Sequence, residues 1–235
     1  MNRIVILTGA GISAESGLGT FRDKGGLWSR YDLQEIATPQ GFARNPGLVH
    51  DFYNARRANM LDAAPNAAHI ALAQLQAAFP GDVLIVTQNV DDLHERAGSR
   101  AVVHMHGQLA GALCAACTHR WPAPRVMAAA TPCPACAARS TRPDIVWFGE
   151  IPYHMEQIGA ALARADLFVS VGSSGEVYPA AGFVDGARAA GVETLEINLE
   201  PSRMPGRFDR VIAGPATRCV PAWVAELTQQ AGCPG

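Results

Sequence analysis

The chain has 235 residues, 19 of them basic and 21 acidic, for a formal net charge of −2. That length accommodates one large domain, or one large and one small, around a substantial core, while the near-neutral balance supplies no basic field of the kind that drives generic nucleic-acid binding. No apolar run reaches the roughly 18 residues of a membrane span, and Met1-Asn2-Arg3 passes into a strand without a cleavable leader pattern, so the expectation is a cytoplasmic protein without nucleic-acid or membrane partners.

Ile4 to Leu7 is an unbroken apolar run entering Gly9-Ala10-Gly11, the pattern of a buried parallel strand feeding a glycine turn. Gly9 and Gly11 would let backbone approach a pyrophosphate, and Ala14 fills the third small position of G-x-G-x-x-G/A. A structural glycine turn is the competing reading. Ser13 to Gly17 and Thr20-Phe21-Arg22-Asp23 then add polar, glycine-rich chemistry where a dehydrogenase would continue one helix, and no carboxylate ends a clear second strand about 20 residues on.

Trp28 to Thr38 reads as loop and short helix. Asn45-Pro46 supplies an N-cap and a first-turn proline for a helix to about Leu61, with Leu48, Val49, Phe52 and Tyr53 at helical spacing. Tyr53 and Arg56 share a face of it, which spacing alone explains as a half-buried tyrosine beside a solvated arginine. Pro65-Asn66 opens the next helix, with Leu72, Leu75 and Phe79 on one stripe and Gly81 at its end. Val83 to Val86 is a buried strand delivering Thr87-Gln88-Asn89-Val90-Asp91-Asp92-Leu93-His94, a polar cluster where open α/β sheets bind ligands.

Val102-Val103 leads to His104-Met105-His106-Gly107. Two histidines at alternate strand positions face the same way, so a metal pair is conceivable, but separate roles fit better: His104 as a buried structural group and His106, beside a glycine that leaves room for a ligand, as a general base. Six cysteines follow no secretion pattern, and four form Cys114-x-x-Cys117 and Cys133-x-x-Cys136, the spacing of a closed four-thiolate zinc ribbon. Cys219 and Cys233 read as ordinary thiols. Past the ribbon, Ile145 to Phe148 reads as a strand, Met155 to Arg164 as a helix, and Leu167 to Val171 as a strand ending in Gly172-Ser173-Ser174-Gly175. Pro179 opens a helix that Gly191 closes, Val192 to Ile197 is a strand ending at Asn198-Leu199-Glu200, and a last helix spans about Pro221 to Gln230.

GAGISAESG with TFR, TQNVDDLHERAG, HMHG, the paired knuckles, RPDIVWFGE, a strand-end GSS and NLEPS together resemble the sirtuins, NAD-dependent protein-lysine deacylases, from Ile4 to Ala225. The resemblance implies an α/β fold in which a Rossmann-like parallel sheet domain (about 1–30, 66–108 and 143–235) carries a small domain made of a helical insertion (about 31–65) and a zinc ribbon (109–142). It implies that Gly9, Ala10, Gly11, Ala14, Glu15, Thr20, Phe21, Arg22 and Trp28 wrap the NAD phosphates and nicotinamide ribose. Gln88, Asn89, Val90 and Asp91 would hold the nicotinamide end, Gly172, Ser173, Ser174, Asn198, Leu199 and Glu200 the adenosine half, and Ala216 the border of the adenine.

By the same resemblance the substrate's acyl oxygen attacks the ribose carbon as nicotinamide leaves, and His106 helps a ribose hydroxyl take the acyl group, giving 2′-O-acyl-ADP-ribose. Val146, Trp147 and Phe148 would pair as a strand with the acyl-lysine peptide. Tyr53-x-x-Arg56 resembles the class III sirtuins, in which this pair binds the distal carboxylate of succinyl- or malonyl-lysine, with Ala37 as a small pocket residue. Gly19 departs from the proline or bulkier residue common there, which would loosen the cofactor loop. A monomer using NAD and one structural Zn²⁺ is expected. A nicotinamide dehydrogenase would account for the glycine turn and a zinc-ribbon binding module for the knuckles, but neither accounts for both. A deacetylase with little acidic-acyl activity is the nearer alternative.

Overall fold

Residues 4–7 are buried on both sides because they form the middle of β1 (Arg3–Thr8), which lies between parallel neighbours β2 (Asp82–Thr87) and β7 (Leu167–Val171). The computed structural model describes residues 1–19, 31–202 and 206–231. With β3 (Val102–His104), β8 (Glu193–Asn198) and β9 (Arg210–Ala213), these strands make a six-stranded, wholly parallel sheet in the order β3-β2-β1-β7-β8-β9. Counting only its own strands, the order is 3-2-1-4-5-6, the doubly wound arrangement. The chain reverses direction across the sheet between β1 and β7.

The two faces are separate cores. Ile4 and Ile6 point to one face, packing with Leu72 and Leu75 of α5 (Ala67–Ala78) and Val220, Trp223 and Leu227 of α9 (Ala216–Ala231). Val5 and Leu7 point to the other, toward Ile158 of α7 (Met155–Leu162) and Val184 and Ala187 of α8 (Phe183–Ala189). Alternation along a strand covered on both faces is what removes any polar position from the run, and each fully buried Ile or Leu contributes about 1.5–3 kcal/mol.

A smaller antiparallel sheet, in the order β5-β4-β6, joins β4 (Gly107–Cys114), β5 (Arg120–Pro122) and β6 (Thr141–Ile145). Beside it sit α2 (Leu33–Ile36), α3 (Pro39–Arg44) and α4 (Pro46–Asp62). Asn45 caps α4 through Leu48 N–H at 3.1 Å, as the Asn-Pro signal predicts. Ile36, Ala37, Val49, Phe52, Tyr53 and Met60 pack on Leu109, Ile145 and Trp147, so the helical insertion and the small sheet share a third core.

The observed elements depart from the sequence reading in several places, among them the strand expected over 145–148, which lies at Thr141–Ile145, the start of the last helix, and β9. β6 stops at Ile145, because Glu150 turns the chain: its carboxylate accepts Trp147 N–H at 2.8 Å, its own N–H bonds to Trp147 C=O at 3.0 Å, and Gly149 sits at φ +89°. The last helix begins at Ala216 and contains Pro221. An interior proline costs about 3 kcal/mol, which burial of Val220, Trp223, Val224 and Leu227 offsets. β9 carried no strand signal because its residues are mostly exposed.

Candidate active site

In a parallel sheet every strand ends at the same edge, so the segments after β1, β2, β3, β7, β8 and β9 are neighbours whatever their separation in sequence. Gly9 to Ala14, Gln88 to Asp91, His106, Gly172 to Ser174, Asn198 to Glu200 and Ala216 all fall there. The crossing of the first and fourth of these segments is tight. Gly9 N–H donates to Val171 C=O at 3.0 Å and Gly11 N–H to Gly172 C=O at 2.9 Å. A Cβ on Gly9 would stand 2.8 Å from the Gly172 oxygen, and one on Gly172, at φ +60°, 2.5 Å from Ile12 N. The glycines are thus demanded first by packing of one loop on the other, and the groove that results is backbone-walled, which suits a phosphate-bearing ligand.

The polar residues beneath this groove form a closed hydrogen-bond chain. Asn66 N–H donates to His69 Nδ1 at 3.3 Å, which leaves the proton of neutral His69 on Nε2, 3.3 Å from Ser13 Oγ. Ser13 in turn donates to Asp91 Oδ2 at 3.2 Å and accepts from Asn89 Nδ2 at 3.1 Å. The hydroxyl therefore uses one donor and two acceptors, its full capacity. Burial lowers the His69 pKa to about 4 and raises that of Asp91, the latter against hydrogen bonds from Leu93 N–H and Ser13 and the nearby charges of His104 and Arg56. Sequence reasoning placed Asn89 and Asp91 here and Ser13 in the polar run after the glycine turn, but missed His69; the Asn66-x-x-His69 capping box was the available signal.

His106 lies half-buried just past β3. Its Nδ1 donates to Gln88 C=O at 3.1 Å, because a carbonyl only accepts, and the other nitrogen is left with a lone pair. Burial lowers its pKa, partly countered by that bond. His104 faces acceptors on both sides, Asn89 C=O at 3.2 Å and Glu95 Oε1 at 2.7 Å, a structural assignment that separates it from His106 and from any shared metal.

The other cofactor candidates are placed as follows. Gln88 Nε2 donates to Ser173 Oγ at 2.9 Å, and Asn198 Nδ2 to Ser173 C=O at 2.8 Å, tying three strand ends together. Val90 is buried and its carbonyl accepts Leu109 N–H at 2.8 Å. Glu15 engages the start of α9 through Thr217 N–H at 3.1 Å and Thr217 Oγ1 at 2.7 Å. Ala10, Ala14, Ser174 and Leu199 remain accessible, Glu200 lies at the exposed end past β8, and Ala216 is buried at the head of α9. Thr20, Phe21, Arg22 and Trp28 lie outside the described residues.

Against this edge stands the third core. Tyr53 is buried, with Trp147 Nε1 3.0 Å from its hydroxyl and Phe52 at 5.1 Å between ring centres. The Arg56 guanidinium lies 5.9 Å from the rings of both Phe52 and Tyr53. Burial lowers the Arg56 pKa, against the opposing influence of Tyr53 and Asp91. Ala37 is buried in the same cluster, and its carbonyl accepts Phe148 N–H at 2.9 Å. Arg57, one residue on, is spent differently: Nε donates to Leu109 C=O at 2.7 Å and Nη1 to Asn54 at 2.9 Å. The amides of 146–148 are likewise committed, Val146 N–H to His106 C=O at 2.9 Å, Trp147 N–H to the Glu150 carboxylate and Phe148 N–H to Ala37 C=O, and Trp147 C=O accepts Glu150 N–H, so among the described residues the carbonyls of Val146 and Phe148 are what this segment has to meet an extended peptide.

At the far end of the small sheet the four ribbon cysteines converge, all sulfurs within 4.8 Å of one another, with Cys114 to Cys136 and Cys117 to Cys133 each 3.7 Å. Thiolates about 2.3 Å from a tetrahedral ion stand about 3.8 Å apart, so the set fits Zn²⁺ and leaves no open position. The two knuckles repeat one turn: Thr118 N–H bonds Cys114 C=O and Ala137 N–H bonds Cys133 C=O, both at 2.9 Å, with Thr118 and Ala137 both at φ 60°. Two side-chain-bearing residues in the left-handed region are strained, and metal ligation compensates.

Comparison with known proteins fits this geometry. The Sir2 family profile matches residues 9–179. An NAD-dependent protein deacylase of Caulobacter vibrioides is 61% identical over 229 residues, covering 96% of both chains. Among solved structures, a Sir2 homologue in complex with NAD superposes with a TM-score of 0.88 at 37% identity, covering 97% of this chain and 90% of that one. A substituted Sir2 homologue in complex with 2′-O-acetyl ADP ribose gives 0.89 at 36% identity, with coverage of 98% and 94%. Similarity of that extent, over a fold shared nearly end to end, makes this chain a member of the Sir2 family.

Proposed function

We propose that the protein is an NAD-dependent protein-lysine deacylase that removes acetyl and acidic acyl groups, succinyl and malonyl among them. The observation that carries the acidic-acyl reading is the Tyr53–Arg56 pair, with Tyr53 in the apolar third core and the Arg56 guanidinium 5.9 Å from its ring. A carboxylate entering that pocket loses its hydration and needs charge-assisted hydrogen bonds in return, which a guanidinium and a phenol supply.

When bound, NAD supplies the ribose carbon that takes the acyl oxygen as nicotinamide leaves, and the hydroxyl that receives the acyl group. The chain's own contribution begins with the backbone groove of Gly9 to Ala14 against Gly172 to Ser174, which positions the phosphates. Gln88 to Asp91 orient the nicotinamide end. His106, its tautomer fixed by Gln88 C=O, presents an unprotonated Nε2 that accepts the hydroxyl proton. The carbonyls of Val146 and Phe148, on either side of Trp147, hold the substrate peptide by backbone bonding, which gives affinity without reading side chains. Zinc, held by Cys114, Cys117, Cys133 and Cys136, stabilises the ribbon and takes no part in the chemistry.

The same proposal divides the chain into a Rossmann-like part (about 1–30, 66–108 and 143–235) and a small part (about 31–65 and 109–142), in a cytoplasmic monomer. No helix among the described residues is long and apolar enough to cross a membrane, and a closed thiolate site suits a reducing compartment.

Mass spectrometry of acetyl- and succinyl-lysine peptides incubated with the protein and NAD tests the reading. Nicotinamide and 2′-O-acyl-ADP-ribose are the expected products. Arg56→Met should cut the succinyl-to-acetyl ratio of kcat/KM strongly, since an unpaired buried carboxylate costs about 2–5 kcal/mol. Equal loss on both substrates would assign Arg56 to the fold or the NAD site.

A further inference from the structure

Trp147 stands at the acyl pocket with its side chain as well as its backbone. Its indole N–H can only donate, so across the 3.0 Å to Tyr53 the phenolic oxygen is the acceptor. Tyr53 has one proton to give, and no acceptor among the described residues takes it. Burial raises the phenol's pKa, against the charge of Arg56 and the Trp147 bond, so the proton remains in place through neutral pH.

The indole is itself held rigidly. The Arg142 guanidinium lies 3.5 Å from its ring centre, and Phe42 packs at 5.1 Å. Arg142 is forked onto Glu150, Nη1 to Oε1 at 2.6 Å and Nη2 to Oε2 at 2.8 Å, with Nη2 also reaching Ile145 C=O at 2.7 Å. Glu150 Oε2 closes the loop by accepting Trp147 N–H at 2.8 Å. Sequence places Arg142 and Glu150 eight residues apart on either side of Trp147; the fold makes them a clamp on its ring and its backbone.

Resting on the acidic-acyl reading above, we propose that Trp147, clamped by Arg142 and Glu150, is a specificity-determining positioning residue. Its indole N–H occupies the phenolic oxygen of Tyr53 and so turns the Tyr53 proton toward the distal carboxylate of the acyl group. Donation into an oxygen also strengthens that oxygen's own O–H as a donor. An acetyl group ends in a methyl and has nothing to receive the proton, so the arrangement acts on acidic acyl groups selectively.

Trp147→Phe keeps an aromatic ring for Arg142 and removes the N–H, along with the fused pyrrole ring that carries it. It should lower the succinyl-to-acetyl ratio of kcat/KM about 3- to 10-fold, as for one neutral hydrogen bond, with the change in KM for succinyl-lysine. In a Tyr53→Phe background the same substitution should not lower that ratio further, because the bond it removes is already gone. In substrate-free protein, the ¹⁵N-indole resonance assigned to Trp147 should shift on Tyr53→Phe. A resonance that stays put, or equal losses on both substrates in Trp147→Phe, overturns the assignment. If Arg56→Met loses succinyl selectivity while Trp147→Phe keeps it, the acidic-acyl pocket stands and the role of Trp147 falls. If the wild-type enzyme removes acetyl but not succinyl groups, the acidic-acyl reading falls and this inference with it.

Discussion

His106 Nδ1 and the Gln88 carbonyl oxygen lie 3.1 Å apart, a contact between the segments following two neighbouring strands. The carbonyl fixes the tautomer, and burial lowers the pKa below the usual histidine value. In the general-base role proposed for His106 the neutral imidazole is the active form, so activity should persist as pH falls past about 6.5 and decline only where His106 becomes protonated. The acid limb of kcat/KM against pH measures this, and a midpoint above 6.5 contradicts it. His106→Ala should lose about 10²-fold or more in deacylation while keeping the fold.

His69 carries a second, separate pH dependence. Its folded pKa of about 4 is below the unfolded value near 6.5, so the unfolded state binds the proton first as pH falls. The stability it contributes is fully present above pH 6.5 and lost progressively between 6.5 and 4, on the order of 3 kcal/mol in all. Urea midpoints measured across that window should fall, and His69→Gln should flatten the slope. An unchanged slope in that variant would place the acid sensitivity elsewhere.

The four-thiolate site ties the ribbon to the pocket, because Thr141 pairs with Cys114 and Arg142 with Leu113 in the same register. Cys133→Ser should lower zinc content and folded yield together. Metal analysis of the purified variant checks it, and full occupancy would sink the assignment.

Arg56 and Arg57 provide an internal control. Arg57, 3% exposed, bonds Leu109 C=O and Asn54, and its Nη2 reaches Met127 Sδ at 3.4 Å. Arg57→Met should destabilise the protein by about 3 kcal/mol in urea titration, by stranding buried acceptors, whereas Arg56→Met should act chiefly on the acyl ratio. Reversal of the two phenotypes would reassign the pocket.

Much of the architecture is written locally. The buried run of Ile4 to Leu7, the Asn45-Pro46 start of α4 and the two C-x-x-C pairs each follow from short-range chemistry, so strand, helix and thiolate cluster are legible in the residues alone. Boundaries set by distant partners are not: β6 ends where Glu150 reaches back to Trp147, and α9 runs through Pro221 because the apolar face it buries outweighs the proline. Likewise the pattern Tyr53-x-x-Arg56 fixes a shared helix face but cannot distinguish a solvated arginine from one in a pocket, nor Arg56 from Arg57. Tertiary packing adds what the pattern lacks, tying Arg57 to Leu109 C=O and bringing Trp147, 94 residues from Tyr53 in sequence, to within hydrogen-bond distance of its hydroxyl. Parallel strands explain why: they gather their ends at one edge regardless of sequence separation, so the sequence names the groups and the sheet sets which of them meet.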